Sequence, residues 1–230
     1  MALFAPTSTL QDTSDACRDA IRVLIAATKS CSGFFDAYQT SRTGKTSGNS
    51  TDHEEDLLRA MTLFAASGLD AVAKQLLKDC LRDVTRLSPK AMEQLEKSIA
   101  RSLSRDGKPN DKLLARFFVR ESTFETSLEL VHESFAGESL QSRGQLERAA
   151  AAFGIPLSAI VTDNQMLDEI FRERNFMAHE MDVDLLQNNR SRRQRGWETY
   201  RGWTVELLTI ADRFIVQTND GLKPLWRLDR

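Results

Sequence analysis

The stretch from Thr51 to Leu87 reads as one long helix, and it constrains everything packed around it. Thr51 or Asp52 can cap its start, and Glu54 and Glu55 fall in the first turn, where the helix dipole favours acids. Its middle, "TLFAASGLDAVA" from Thr62 to Ala73, is almost wholly apolar and carries a lone charge, Asp70. A helix this apolar has to be covered by neighbours. Gly68 and the alanines beside it would let one neighbour come close.

The neighbours read as helices too. Ala16, Ala20, Val23, Leu24, Ala27, Cys31, Phe34 and Phe35 recur at three and four, predicting a helix over Ser14 to Tyr38. Ser88 caps a third helix with Pro89 in its first turn. Helical segments follow within 111–135, 142–154 and 156–181, and a last helix is expected over Arg193 to Thr218. Between them "SRTGKTSGNST" and "RDGKPN" read as loop and turn. Gly44-Lys45-Thr46 resembles the end of a phosphate-binding loop, but the earlier glycine and the leading strand are missing. Strand signals are scarce. The expectation is one all-α domain over residues 1–230, with six to eight helices in an antiparallel bundle.

Hydrophobic residues make up 41% and charged residues 28% of the 230, too apolar a mixture for a disordered chain. The net charge of −2 excludes a polycation, so any contact with nucleic acid needs a local patch. The three cysteines, Cys17, Cys31 and Cys80, are widely spaced in apolar helical contexts and read as reduced thiols. No signal segment or membrane-length apolar run occurs, so the expected setting is cytoplasmic and away from membranes.

The unusual segment is "IFRERNFMAHEMD", Ile170 to Asp182. On a helix over Asn164 to Met181, one side gathers Leu167, Ile170, Phe171, Met177, Ala178 and Met181, with Arg174 near its centre. Asp168, Arg172, Asn175 and His179 gather opposite. Arg174 and His179 are then about 140° apart around the axis. A guanidinium facing packed side chains needs a carboxylate, a wet cavity, a phosphate or a second subunit. Asp70, the lone charge of the other apolar helix, is the candidate carboxylate, met directly or through a short polar network. A purely structural Arg–Asp pair in an all-α adaptor, with His179 as an ordinary surface histidine, stands as the plain alternative.

Arg174-Asn175-Phe176-Met177-Ala178-His179 resembles the R-N-x-x-x-H signature of the HEPN superfamily, and more closely its RiboL-PSP-type members. In those a long helix with an acidic centre precedes the motif, and "LLRAMTLFAASGLDAVAKQLLKDCL" with Asp70 occupies that place. Asp70 stands where related sequences more often have Glu, which shortens the carboxylate's reach by one methylene. The resemblance covers most of the chain in layout but only two short segments in residues. It implies an all-α homodimer whose two motifs face each other, and a metal-independent endoribonuclease without cofactor. The 2′-hydroxyl of RNA would attack the adjacent phosphorus, leaving a 2′,3′-cyclic phosphate and a 5′-hydroxyl. Within that reading His179 is the acid or base, and Arg174 stabilises charge on the phosphorane oxygens. Asn175 holds the histidine or a phosphate oxygen, and Asp70 orients Arg174. It further implies a toxin–antitoxin or antiphage role, with an antitoxin or defence-system protein as partner. A non-catalytic HEPN module for dimerisation or RNA and nucleotide binding is the alternative.

Past the motif, "QNNRSRRQRGWETYRGW" places Arg190, Arg192, Arg193, Arg195 and Arg201 among Trp197, Tyr200 and Trp203. Arginines neutralise phosphates and aromatic rings stack on unpaired bases. Arg190, Arg192, Arg193, Arg195 and Tyr200 are the expected RNA contacts, against the bland reading of a solvated face with core tryptophans. The three histidines, His53, His132 and His179, fall in no metal-binding spacing, and the first two read as surface residues.

Overall fold

Eight α-helices form among the described residues, which in this computed structural model are 3–9, 13–44, 50–105, 108–184 and 191–226. A single 3-10 turn at Asp15–Cys17 leads into α1 (Arg18–Arg42), so the first helix runs one turn beyond the expected Tyr38. Gly44 follows with a left-handed φ of 82°, while Lys45 and Thr46 lie outside the described residues.

The next helix, α2 (Asp52–Leu87), starts where its capping signal says it should. Thr51 Oγ1 accepts from the Glu54 N–H at 3.3 Å, and the Glu54 carboxylate accepts from the Thr51 N–H at 2.7 Å. The two groups satisfy each other's otherwise orphaned donors. At 1.5 Å per residue α2 is about 54 Å long, enough to span the molecule. Ser88 ends it and caps α3 (Pro89–Leu103), accepting from the Ala91 N–H at 3.2 Å with Pro89 in the first turn. Ser104–Arg105 and Lys108–Pro109 form a two-residue antiparallel pair where a plain turn was expected.

Three shorter helices, α4 (Asp111–Val119), α5 (Thr123–Ala136) and α6 (Arg143–Ala152), follow. A 3-10 turn at Leu157–Ala159 then leads to α7 (Asn164–His179), capped by the Asp163 carboxylate on the Met166 N–H at 2.9 Å. The last helix is α8 (Trp197–Trp226). It begins four residues later than the expected Arg193, because 191–196 are drawn into contacts with the end of α7.

The axle of the fold is α2, with α1 and α8 packed along it and α7 touching a further side. Ile21 and Leu24 of α1, Leu58, Met61, Leu69 and Leu76 of α2, Leu167 and Ile170 of α7, and Leu207 and Phe214 of α8 are sealed from solvent. The close neighbour that Gly68 admits is α1: a Cβ at Gly68 would lie 2.5 Å from Ala27 Cβ. All three cysteines are free and buried. Cys17 Sγ and Cys80 Sγ lie 3.5 Å apart, and Cys31 Sγ–H donates to the Met61 carbonyl at 3.4 Å. Burial pushes the Cys31 thiol up to about 12. The N-terminal segment is strapped to α8 by Asp212, whose carboxylate accepts from the Thr7 and Ser8 N–H groups at 2.9 and 3.1 Å and from both hydroxyls. Among the described residues no helix is long and apolar enough to cross a membrane.

Candidate active site

The R-N-x-x-x-H segment occupies the C-terminal half of α7, and His179 is its last helical residue. Leu167, Ile170, Phe171 and Met177 form the buried stripe, as the periodicity requires. Arg174 lies beside that stripe and is half-buried rather than central to a dry core. Ala178 and Met181 do not join the stripe. Ala178 is exposed, and Met181, beyond the helix end, is 66% exposed.

Arg174 and Asn175 are in contact: Arg174 Nη1 donates to Asn175 Oδ1 at 3.0 Å. Arg174 Nε is buried without a hydrogen-bond partner, and the guanidinium has no carboxylate partner among the described residues. Asn175 Nδ2 donates in turn to the Gln141 carbonyl at 3.5 Å. His179 is exposed at the helix end.

Asp70 does not pair with Arg174. Its Oδ1 accepts from the Leu140 N–H at 2.9 Å, and its Oδ2 accepts from Lys74 at 3.0 Å. Of the two expected arrangements the direct ion pair does not form, and the indirect one does, as a relay from Asp70 through Leu140-Gln141 to Asn175 and on to Arg174. The loop between α5 and α6 comes between the two charges, and its unpaired N–H claims the shorter carboxylate.

The arginine-rich segment does return to the motif, but among its described residues Arg192, Arg193 and Arg195 are turned against protein groups. Val183 pairs with Arg192 in an isolated antiparallel bridge, which lays 191–193 against the turn after His179. Arg190 lies outside the described residues. Arg192 donates to Asp56 at 2.6 Å and to the Met181 carbonyl at 3.2 Å. The Arg193 guanidinium sits 3.9 Å over the Phe176 ring, inside the motif. Arg195 donates to Asp182 at 2.6 and 3.0 Å, to Tyr200 Oη at 3.2 Å and also to Glu173. Tyr200 is fully buried and packs edge-on against Trp203. Arg195 and Tyr200 are thus corrected from RNA contacts to interior groups: one has its donors taken by acids, and the other offers no ring face to a base.

The centre of this cluster was not anticipated from the sequence. Asp182 is fully buried and accepts from Arg59 Nε of α2 at 2.8 Å. Arg59 also donates to Glu55 at 2.8 Å and to the Arg193 carbonyl at 2.8 Å. Burial pushes the Glu55 carboxyl above its usual range, against the pull of Arg59. Burial opposes the charge of Arg59, but its hydrogen bond to Asp182 and the nearby acids hold the guanidinium above its ordinary value. The hydrogen bond from Arg192 holds Asp56 below its own. The one available signal was the Glu55–Arg59 pair at i,i+4 on the Leu58 and Thr62 side of α2, the side that had to be covered.

No family model, curated protein or solved structure matches this chain. The site's chemistry therefore has to be read from its own residues. An arginine without a carboxylate partner, held by an asparagine, lies five residues before an exposed imidazole and about 140° from it around the axis of an unbroken helix. That set can bind a phosphodiester and move a proton. Among the described residues no three His, Cys, Asp or Glu side chains come together as metal ligands. His132 is half-buried, not a surface group as expected, and burial lowers its imidazole below the ordinary value.

Proposed function

We propose that this chain is a HEPN-type endoribonuclease that cleaves RNA without a metal, acting as a homodimer. The observation that carries the reading is the contrast among arginines at the end of α7. Arg59, Arg192 and Arg195 are committed to acids, whereas Arg174 is not, and Arg174 belongs to the R-N-x-x-x-H segment. A guanidinium kept free of carboxylates is suited to meet a phosphate.

In this reading the substrate's 2′-hydroxyl gives its proton to His179 and its oxygen attacks the adjacent phosphorus. Arg174 takes the charge that builds on the non-bridging oxygens, where an aligned cation stabilises the transition state more than the ground state. The P–O5′ bond breaks, and the 5′-oxygen collects a proton from the second copy of the histidine. Asn175 holds the Arg174 fork, and Asp70 acts at a distance by fixing the Leu140-Gln141 segment. Met181, exposed two residues past His179, supplies apolar surface that a second copy would cover. Arg192, paired with Asp56, and Arg193, packed over the Phe176 ring, line this segment half-buried rather than as free cations.

The second reading is a non-catalytic module of the same fold, used for dimerisation or RNA binding. The inward commitment of Arg195 and Tyr200 favours its dimerisation form, since it removes two expected RNA contacts. Incubation of purified protein with total RNA in chelator, followed by end-group analysis, separates the two. Cyclic phosphate and 5′-hydroxyl ends that vanish in His179→Ala support the nuclease, and intact RNA supports the module. A toxin or antiphage role adds the expectation of growth arrest on expression, relieved by changing Arg174.

A further inference from the structure

We infer that Asp182 is a positioning residue for the end of α7 that carries His179; this rests on the endoribonuclease reading of that segment. Asp182 lies three residues past His179 and is fully buried. Its side chain joins α2 through Arg59 Nε at 2.8 Å and the approach to α8 through the Arg195 fork at 2.6 and 3.0 Å. Its backbone N–H donates to the Phe176 carbonyl at 3.0 Å, and its carbonyl accepts from the Arg193 N–H at 2.9 Å. One residue thus ties the last turn of the motif helix to two other elements.

The turn it holds is strained. Met181 and Asp182 have φ of 53° and 59°, in the left-handed region that L side chains other than Asn and Asp avoid. Two such residues in succession persist where surrounding contacts over-determine them. Here the over-determining contacts are the Asp182 carboxylate and the bridge from Val183 to Arg192. Loosening these contacts lets the turn relax, and the final helical residue, His179, is displaced with it.

The test compares Asp182→Asn, which tolerates the left-handed backbone but lacks the charge, with Arg195→Lys. The latter keeps the charge balance and Arg59 on Asp182, so it guards against loss of the fold in the first. Folding is checked by circular dichroism, and the three imidazole Cε1–H resonances are assigned by replacing each histidine with Gln. Positioning predicts that the His179 resonance moves while those of His53 and His132 stay. It also predicts a single-turnover cleavage rate lower by about tenfold or more, with KM within about twofold. An unmoved His179 resonance and a wild-type rate in either folded variant overturn the inference. Intact RNA with the wild-type chain overturns the endoribonuclease reading instead, and the resonance alone then decides the positioning role.

Discussion

Arg59 Nε donates to Asp182 Oδ2 at 2.8 Å, and this bond joins the first turns of α2 to the turn that follows α7. Arg59 is 4% exposed and Asp182 is sealed. Breaking such a pair on one side leaves a buried charge without a partner, which costs roughly 3–5 kcal/mol. Arg59→Met strands Glu55, so its melting temperature should fall by about 10 °C. Arg59→Met with Glu55→Met removes both charges, and thermal unfolding should show the loss at least partly recovered. A double variant no better than the single one would mean that Glu55 does not depend on Arg59.

At the motif itself, Arg174→Ala and His179→Ala should each lower RNA cleavage by about a hundredfold or more while unfolding at nearly the wild-type temperature. Arg174→Lys should restore little, since an ammonium cannot both meet Asn175 and present a planar fork to phosphate. Full cleavage by folded His179→Ala protein removes the imidazole from the mechanism.

The α1–α2 contact predicts a reversal by compensation. Gly68→Ala gains helix propensity of about 1 kcal/mol, but the added Cβ would stand 2.5 Å from Ala27 Cβ. Neither atom can rotate away, so overpacking of about 1–3 kcal/mol should win. Adding Ala27→Gly should return most of the stability, as read by denaturant titration.

Asp212 sets an acid limit on the N-terminal strap. Burial opposes its charge, but the hydrogen bonds from Ser8 and Thr7 outweigh this and hold the carboxyl below its ordinary 3.8. A carboxyl depressed by folding contributes stability that is whole above the unfolded value and is lost as pH falls through the folded one. Wild type should therefore exceed Asp212→Asn in stability near neutrality. The gap should narrow as pH drops below about 4, with the protection of the Thr7 and Ser8 amides, relative to the intrinsic exchange rate at the same pH, falling with it. A constant gap down to strong acid would show that the strap does not depend on the charge.

How much of this was readable beforehand depends on how local the deciding contacts are. The Thr51–Glu54 box and the Ser88–Pro89 start are settled within four residues, so the bounds of α2 and the start of α3 were legible. The apolar stripe of α7 was legible because a helix imposes its period on each side chain. Its end was not: Met181 and Ala178 continue the pattern, and what stops the helix is the fixing of Asp182 by Arg59, 123 residues away. The same contact explains why Arg193 to Gly196 failed to start α8. The Arg193 N–H goes to the Asp182 carbonyl and the Arg193 carbonyl to Arg59, and no cap signal in the segment announces that.

Asp70 illustrates the boundary well. Its isolation in an apolar helix marked it as a charge that needed partners, and half-buried it has them. That the partners are Leu140 and Lys74, with Arg174 reached through a relay, depended on where the α5–α6 loop came to lie.

Helix content, caps, the central place of α2 and the prominence of Arg174 to His179 follow from the residues themselves, through short-range hydrogen bonds and the helical period. Which arginines are spent on acids and which is left without one was decided by tertiary packing. A guanidinium's partner is whatever carboxylate the fold brings within about 3 Å, and beyond one helical turn sequence separation carries no information about that distance.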